Sequence, residues 1–180
     1  LAAALWAMAV LALWLLALHG LIVLPTAFDP LSWHVHEMLF GFVLAAMAGF
    51  LLTAIPNWTG RMPLQGWPLA VLVTLWGAGR GAVLVSAWIG APAAAAVDLA
   101  LPLALLAVVV REIVSGRNWR NLPMVAGLIV LLAADAAMHA EVVWPHQVDP
   151  GVGWRLGIAA MLMLVALIGG RIVPSFTRNW

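Results

Sequence analysis

Residues 33–61 read WHVHEMLFGFVLAAMAGFLLTAIPNWTGR, and this stretch decides the fold. It opens with His34, His36 and Glu37, continues as a long apolar run and reaches a proline at Pro56. The run has the ~20 apolar residues that a helix needs to cross the hydrocarbon of a bilayer. An imidazole at the end of a membrane helix is a natural ligand for haem iron or copper. The stretch therefore predicts a membrane helix with metal ligands at one end.

The composition of the whole chain supports the same class of protein. Of the 180 residues, 66% are hydrophobic and 8% are charged, which leaves too few polar side chains to cover a soluble domain. The apolar runs do not alternate with polar residues, so we predict an all-α, polytopic membrane bundle rather than a barrel. The absence of Cys excludes disulfides and thiolate ligands, and a net charge of +1 gives no electrostatic basis for binding nucleic acid.

Six apolar segments are predicted to span the bilayer as one helical domain. Their ends are marked by proline, glycine and interfacial tryptophan. The predicted spans are Ala3–Leu24, Trp33–Ile55, Pro68–Ile89, Ala93–Val110, Leu122–Val143 and Trp154–Val173.

The charged residues of the connections predict the orientation. Arg residues gather between spans 2 and 3, between spans 4 and 5 and at the C-terminal end, namely Arg61, Arg111, Arg117, Arg120 and Arg178. By the positive-inside rule these connections are cytoplasmic, which puts both chain ends inside. All five His then lie toward the outer leaflet, where a layer of imidazoles and carboxylates is costly unless it serves ligands, protons or water.

The helical period arranges the polar residues at the start of span 2. At ~100° per residue, His34 and Glu37 share a face and His36 points nearly opposite. Glu37 also begins a small-residue stripe (Glu37, Gly41, Ala45, Gly49, Thr53), which predicts that it faces the bundle. One His would bind a metal while Glu37 orients an imidazole N–H or carries a proton. The alternative is a set of interfacial polar residues that only begins a helix.

Other ionisable residues also lie inside predicted spans. Asp135 and His139 share a face of span 5 at i, i+4 spacing, which fits either a proton-path pair or a structural hydrogen bond. Arg80, between Gly79 and Gly81, cannot face lipid cheaply and needs an anion. Its partner would be Asp98, another of these buried carboxylates, or a haem propionate.

Several motifs in order along the chain resemble those of the NnrS family. They are Trp33-His34-x-His36-Glu37-Met38-x-Phe40-Gly41, Pro56-Asn57-Trp58-Thr59-Gly60-Arg61, Trp119-Arg120-Asn121-Leu122-Pro123, His139-x-Glu141 and Gly169-Gly170-Arg171-Ile172-x-Pro174-x-Phe176-Thr177-Arg178. The resemblance runs over essentially the whole chain. It implies a membrane protein with haem and copper that is linked to nitric oxide and nitrosative stress. It also implies that residues 1–180 are the N-terminal half of a longer protein.

The residues and the resemblance together give a first hypothesis of function. We expect a haem-binding protein of the bacterial inner membrane that acts on or senses nitric oxide, with quinol or a periplasmic carrier as electron donor. His34, His36 and His139 are the expected metal and haem ligands, Arg80 would pair with a propionate or a carboxylate, and Glu37 and Asp135 would carry protons if nitric oxide is reduced. Whether nitric oxide is a substrate or a signal is left open. A proton-coupled transporter of a metal, haem or a small anion is the alternative, and a scaffold subunit is the third reading.

Overall fold

The computed structural model describes residues 1–177, and Arg178, used above in the charge pattern, lies outside them. Every regular element in the described part is helical, as predicted. The α-helices in chain order are α1 (Ala2–Leu18), α2 (Pro30–His36), α3 (Leu44–Thr59), α4 (Trp67–Leu84), α5 (Ser86–Ile89), α6 (Ala91–Asp98), α7 (Ala100–Ser115), α8 (Leu122–Val143) and α9 (Val152–Thr177). A π-helical turn, Glu37–Val43, joins α2 to α3, and a 3₁₀ turn, Trp119–Asn121, precedes α8.

Five helical segments within the described residues are long and apolar enough to cross a membrane. They are Pro30–Thr59, Trp67–Leu84, Ala91–Ser115, Trp119–Val143 and Val152–Gly170. Helix α1 is also apolar but shorter, with 17 residues. It ends before the predicted Leu24, because Gly20 adopts a positive φ of 69° and the chain then runs without helix toward Asp29.

Prolines do not stop the spans where the sequence predicted. Pro56 lies inside α3, which ends three residues later at Thr59, where Gly60 caps the helix in the left-handed conformation (φ 70°). Span 4 reaches Ser115 rather than Val110, and span 6 continues through Pro174 to Thr177. Proline is tolerated there because neighbouring helices stabilise a membrane helix that has lost one hydrogen bond.

The helices pack around one apolar core. Trp33, Phe40, Leu51, Leu105 and Leu131 are among its fully or almost fully buried side chains. Close approach of helices depends on glycine: a Cβ on Gly153 of α9 would lie 2.6 Å from the backbone nitrogen of Met138 in α8. The polar residues of the site lie inside this core, on α2, the π turn, α4, α6 and α8.

Candidate metal centre

His36 and Glu37 lie at the junction between α2 and the π turn. Asp29 caps α2, and Pro30 occupies the first turn, where proline fits best. After His36 the hydrogen bonding widens into the π turn, which inserts about one extra residue per turn and changes the direction of the following side chains. His36 and Glu37 are both fully buried, and His36 Nδ1 lies 3.3 Å from Glu37 Oε1.

Four buried side chains converge on one point between α2, α6 and α8. They are His36, Asp98, Asp135 and His139, and one potential ligand atom from each lies within 4.8 Å of the others. His36 Nε2 is 3.0 Å from Asp135 Oδ1 and 3.2 Å from Asp98 Oδ2. His139 Nε2 is 3.0 Å from Asp98 Oδ2 and 3.8 Å from Asp135 Oδ1. We call this set the four-residue cluster.

Arg80 and Glu37 extend the cluster on the side of α4 and α1. Arg80 Nη1 donates to Glu37 Oε1 at 2.9 Å, and Nη2 donates to Asp98 Oδ1. The second oxygen of Glu37 accepts a hydrogen bond of 2.7 Å from Trp6 Nε1. Arg80 therefore fixes one oxygen of Asp98 and leaves the other, Oδ2, directed at the two imidazoles.

Two glycines make room for these charged groups. A Cβ on Gly79 would lie 2.5 Å from Asp98 Oδ1 and 3.2 Å from Asp98 Cα, so only glycine lets α4 and α6 approach this closely. A Cβ on Gly41 would lie 2.8 Å from both Glu37 Oε2 and Trp6 Nε1. Gly79 and Gly41 are therefore required by the packing of the site.

Aromatic rings close the cluster from the apolar side. The Phe28 ring lies 5.2 Å from that of His36 and 5.6 Å from that of His139, and Phe40 lies 5.3 Å from His36. Phe28 belongs to the connection after α1, which is held to α5 where Ala27 N–H donates to Ser86 Oγ at 2.8 Å. The rings and this connection keep the ionisable groups away from lipid and water.

Comparison with known proteins identifies the family of this chain. The NnrS protein family model matches residues 1–180. The chain belongs to the NnrS family. No curated protein and no solved structure gives a significant match. Membership associates the chain with membrane proteins related to the nitric oxide response.

The NnrS-family motifs contribute unequally to the cluster. Of the candidates from the sequence, His36, His139 and Asp135 lie in the four-residue cluster, and Glu37 and Arg80 lie beside it. His34 lies elsewhere: its ring stacks on Trp14 with centroids 4.2 Å apart, and it is only partly buried. The sequence had placed His34 with Glu37 and His36 opposite; in the structure His36 lies beside Glu37 in the buried site, and His34 faces Trp14 of α1.

Asp98 is the member of the cluster that the sequence analysis did not propose as a ligand. The sequence indicated it as a partner for Arg80, and Arg80 Nη2 does donate to Asp98 Oδ1. Its signal in the sequence was its position, a carboxylate inside an apolar span with an unpaired Arg in the preceding one. The same carboxylate contacts His36 and His139 through its other oxygen.

Two carboxylates outside the cluster have structural roles in this NnrS-family chain. Glu141, part of the His139-x-Glu141 motif, accepts hydrogen bonds from the backbone N–H groups of Gly151 (3.0 Å) and Gly153 (2.9 Å). It therefore caps the start of α9. Glu112, near the end of α7, pairs with Arg61 at 2.5 Å and Arg111 at 2.7 Å.

The four-residue cluster has the donor chemistry of a metal centre. Two imidazoles and two carboxylates suit first-row transition metals, among them iron, copper and zinc. One more feature points to a ligand: Asp135 is 1% exposed, and its Oδ2 has no hydrogen-bond partner in the described part of the chain. A buried carboxylate oxygen without a donor is costly, and a cation bound to the Asp135 carboxylate would reduce that cost.

Proposed function

We propose that the protein is a metal-binding membrane protein of the nitric oxide response, in which the four-residue cluster holds one first-row transition-metal ion. Family membership supports the link to nitric oxide. The convergence of His36, Asp98, Asp135 and His139 supports the metal. An iron or copper ion bound there would supply a centre at which nitric oxide is a ligand.

The spacing of the four ligand atoms carries this proposal. Around an ion with bonds of ~2.1 Å, neighbouring ligand atoms lie ~3.0–3.4 Å apart. In the cluster, nitrogen and oxygen atoms alternate at separations of 3.0, 3.2, 3.0 and 3.8 Å. Three of the four separations lie in this range, and the fourth, at 3.8 Å, exceeds it by a few tenths of an ångström.

The contacts of the two ring nitrogens of His36 also support a bound cation. Its Nδ1 faces Glu37, and its Nε2 faces both Asp98 and Asp135. A neutral imidazole has one N–H, so one ring nitrogen would direct a lone pair at carboxylate oxygen. A metal at Nε2 resolves this conflict, with the Nδ1–H donated to Glu37 as in many metal-bound histidines. A proton on Nε2 would resolve it too, and the experiment below separates the two.

The residues around the ion would have distinct tasks. Glu37 would fix the tautomer of His36, and Arg80 would hold Asp98 with Oδ2 toward the ion. Asp135 would contribute Oδ1, and its Oδ2 would be a further ligand or would carry protons to the centre if nitric oxide is reduced. Phe28 and Phe40 would exclude water from the centre.

Haem does not fit the four-residue cluster as this chain builds it. An axial imidazole needs one ring nitrogen directed at an open, flat pocket, whereas both nitrogens of His36 face carboxylates within 3.3 Å. A separate apolar groove of about 470 Å³, lined in part by Gly49, Trp76 and Leu105, has no His in its lining. Haem binding by this chain remains a prediction.

The membrane and the redox partner complete the proposal. The Arg-rich connections favour the bacterial cytoplasmic membrane, with the cluster toward its outer leaflet. Nitric oxide dissolves in the lipid and could reach a centre buried among helices. If the ion turns over, quinol or a periplasmic carrier would supply electrons.

Metal analysis of the purified protein tests the proposal. We expect about one iron or copper ion per chain, and a visible or electron paramagnetic resonance spectrum that changes when nitric oxide is added. His139→Ala should lose the ion and the response, whereas the matched control His19→Ala, at an exposed histidine, should keep both. Folded wild-type protein that binds neither metal and has an imidazolium at His36 would refute the proposal.

A further inference from the structure

Glu37 and Arg80 contact the four-residue cluster without belonging to it. Glu37 lies 3.3 Å from Nδ1 of His36, and Arg80 spans the gap from Glu37 to Asp98. Both side chains are buried, with exposed fractions of 0% and 4%. Their charges therefore act on the cluster across a few ångströms with little water to screen them.

The formal charges in this region nearly fix the charge of the ion. Among the residues described there, Glu37, Asp98 and Asp135 contribute three negative charges and Arg80 contributes one positive charge. With neutral imidazoles the region carries a formal charge of about −2, and one divalent cation cancels it. A monovalent ion would leave a net negative charge among the helices, and a trivalent ion would leave a net positive one, both of which are costly in a low-dielectric interior.

We propose that Glu37 and Arg80 are charge-setting residues with opposite effects on the bound ion: the negative charge of Glu37 favours the higher oxidation state, and the positive charge of Arg80 favours the lower one. Together they leave the region with the formal charge that a divalent ion cancels. The inference rests on the proposed function, because it concerns the same centre. For iron, the region favours Fe²⁺ over Fe³⁺; for copper, it favours Cu²⁺ over Cu⁺. Neither residue needs to touch the ion, since Glu37 acts through His36 and Arg80 acts through Asp98.

The contacts of Glu37 show that its charge is held in place. Trp6 donates to Oε2 at 2.7 Å, Arg80 donates to Oε1 at 2.9 Å, and Gly41 leaves room for the carboxylate. A carboxylate held by two donors keeps a fixed distance from the imidazole. The same arrangement provides variants that change charge with little change of shape.

The midpoint potential of the iron-loaded protein tests the inference. In the titration the ion loses one electron to a mediator dye and passes from Fe²⁺ to Fe³⁺. Glu37→Gln removes one negative charge, so Fe³⁺ becomes less stable and the potential should rise. Arg80→Met removes one positive charge, so Fe³⁺ becomes more stable and the potential should fall.

Charge-conserving variants provide the matched controls. Glu37→Asp and Arg80→Lys keep the charges, and Trp6→Phe removes the hydrogen bond to Oε2 without changing any charge. We expect smaller potential shifts in these three than in the neutralised variants. Shifts in the same direction for Glu37→Gln and Arg80→Met, or equal shifts for Glu37→Gln and Glu37→Asp, would overturn the inference.

The design separates this inference from the proposed function. If wild-type protein binds no ion, the proposed function fails before any potential is measured. If wild-type protein binds an ion but Glu37→Gln has the same midpoint potential as wild type, only the charge-setting role fails. Should Arg80→Met not fold, the Glu37→Gln and Glu37→Asp pair decides the matter alone.

Discussion

At the scale of single residues, Asp98 connects the two charged parts of the site. One carboxylate oxygen accepts from Arg80, and the other contacts both His36 and His139. Gly79 lies directly against this carboxylate, and its neighbours Gly77 and Gly81 have open space where a Cβ would be. The three glycines near Arg80 therefore differ in structural role: Gly79 contacts Asp98, whereas Gly77 and Gly81 have no neighbour where a Cβ would be.

Gly79→Ala should disturb the site, because its Cβ would overlap Asp98. We expect α4 and α6 to separate slightly, at a cost of about 1–3 kcal/mol in the free energy of unfolding, with weaker metal binding. Gly77→Ala and Gly81→Ala are the controls and should cost little. The measurements are thermal unfolding in detergent and metal content; equal effects at all three positions would contradict the assignment.

His34→Ala should leave metal content unchanged, although the sequence placed this residue among the ligands. Its ring stacks on Trp14 outside the cluster, so the variant loses an aromatic contact worth about 0.5–1.5 kcal/mol. Metal analysis beside His139→Ala tests this directly. Loss of the ion from His34→Ala would mean that the metal centre includes His34, which lies against Trp14 of α1.

The sequence indicated most of the site at this scale for one reason. Glu37, Arg80, Asp135 and His139 are ionisable groups inside apolar spans, and such groups are expensive unless they meet partners. The partners themselves could not be predicted, because they depend on how α4, α6 and α8 pack. Asp98 contacts Arg80 and both imidazoles at once, and no spacing along the chain shows that.

At the scale of the element, the π turn explains why helical periodicity failed in span 2. The predicted stripe from Glu37 to Thr53 assumes an unbroken 3.6-residue period. After the turn, α3 buries Leu44, Met47, Leu51 and Ile55 instead, while Gly49 and Thr53 are exposed. Wide turns of this kind are frequent at functional sites, but they have no sequence signature that periodicity detects.

The cap of α2 gives a pH-dependent prediction. Burial raises the pKa of Asp29, but hydrogen bonds from Ser32 and Leu31 lower it more, so the folded pKa lies below its ordinary value of 3.8. The cap therefore stabilises fully above that value, and its contribution is lost as pH falls through the lower folded pKa.

Asp29→Ala should cost about 1 kcal/mol near neutral pH, because Oδ1 accepts from two backbone N–H groups at 3.0 Å. The difference from wild type should shrink as the pH falls below about 4. Asp29→Asn keeps a capping oxygen at every pH and is the control. Thermal unfolding midpoints of wild type and Asp29→Ala, measured across this pH range, test the prediction. A difference between the two that widens in acid would contradict the capping role of Asp29.

At the scale of the whole molecule, the ion would link α2, α6 and α8. Removing it should destabilise the bundle, because three buried carboxylates would face one Arg and two imidazoles. An ion at 100 times its dissociation constant stabilises the folded state by about 2.7 kcal/mol. We expect a chelator to lower the thermal midpoint of wild type and to leave that of His139→Ala unchanged.

The helical, membrane-spanning class was predictable from composition because it requires only enough apolar residues to fill a bilayer. Span 5 was placed at Leu122–Val143, the bounds that α8 has. Span 3 was not, since α4 ends at Leu84 and the chain turns at Val85 before α5. That turn puts Ser86 against the connection after α1, a contact between distant parts of the chain that local sequence does not encode.

The position of Phe28 has a consequence for the speed of exchange. Its ring lies beside both imidazoles, and the backbone next to it is held by a hydrogen bond to Ser86 of α5. If the route to the cluster passes Phe28, an ion would enter or leave when this ring moves aside. The residence time of the ion would then depend on how often the hydrogen bond between Ala27 and Ser86 breaks, and not on affinity alone. The protein would retain its ion long after the concentration of free metal has fallen.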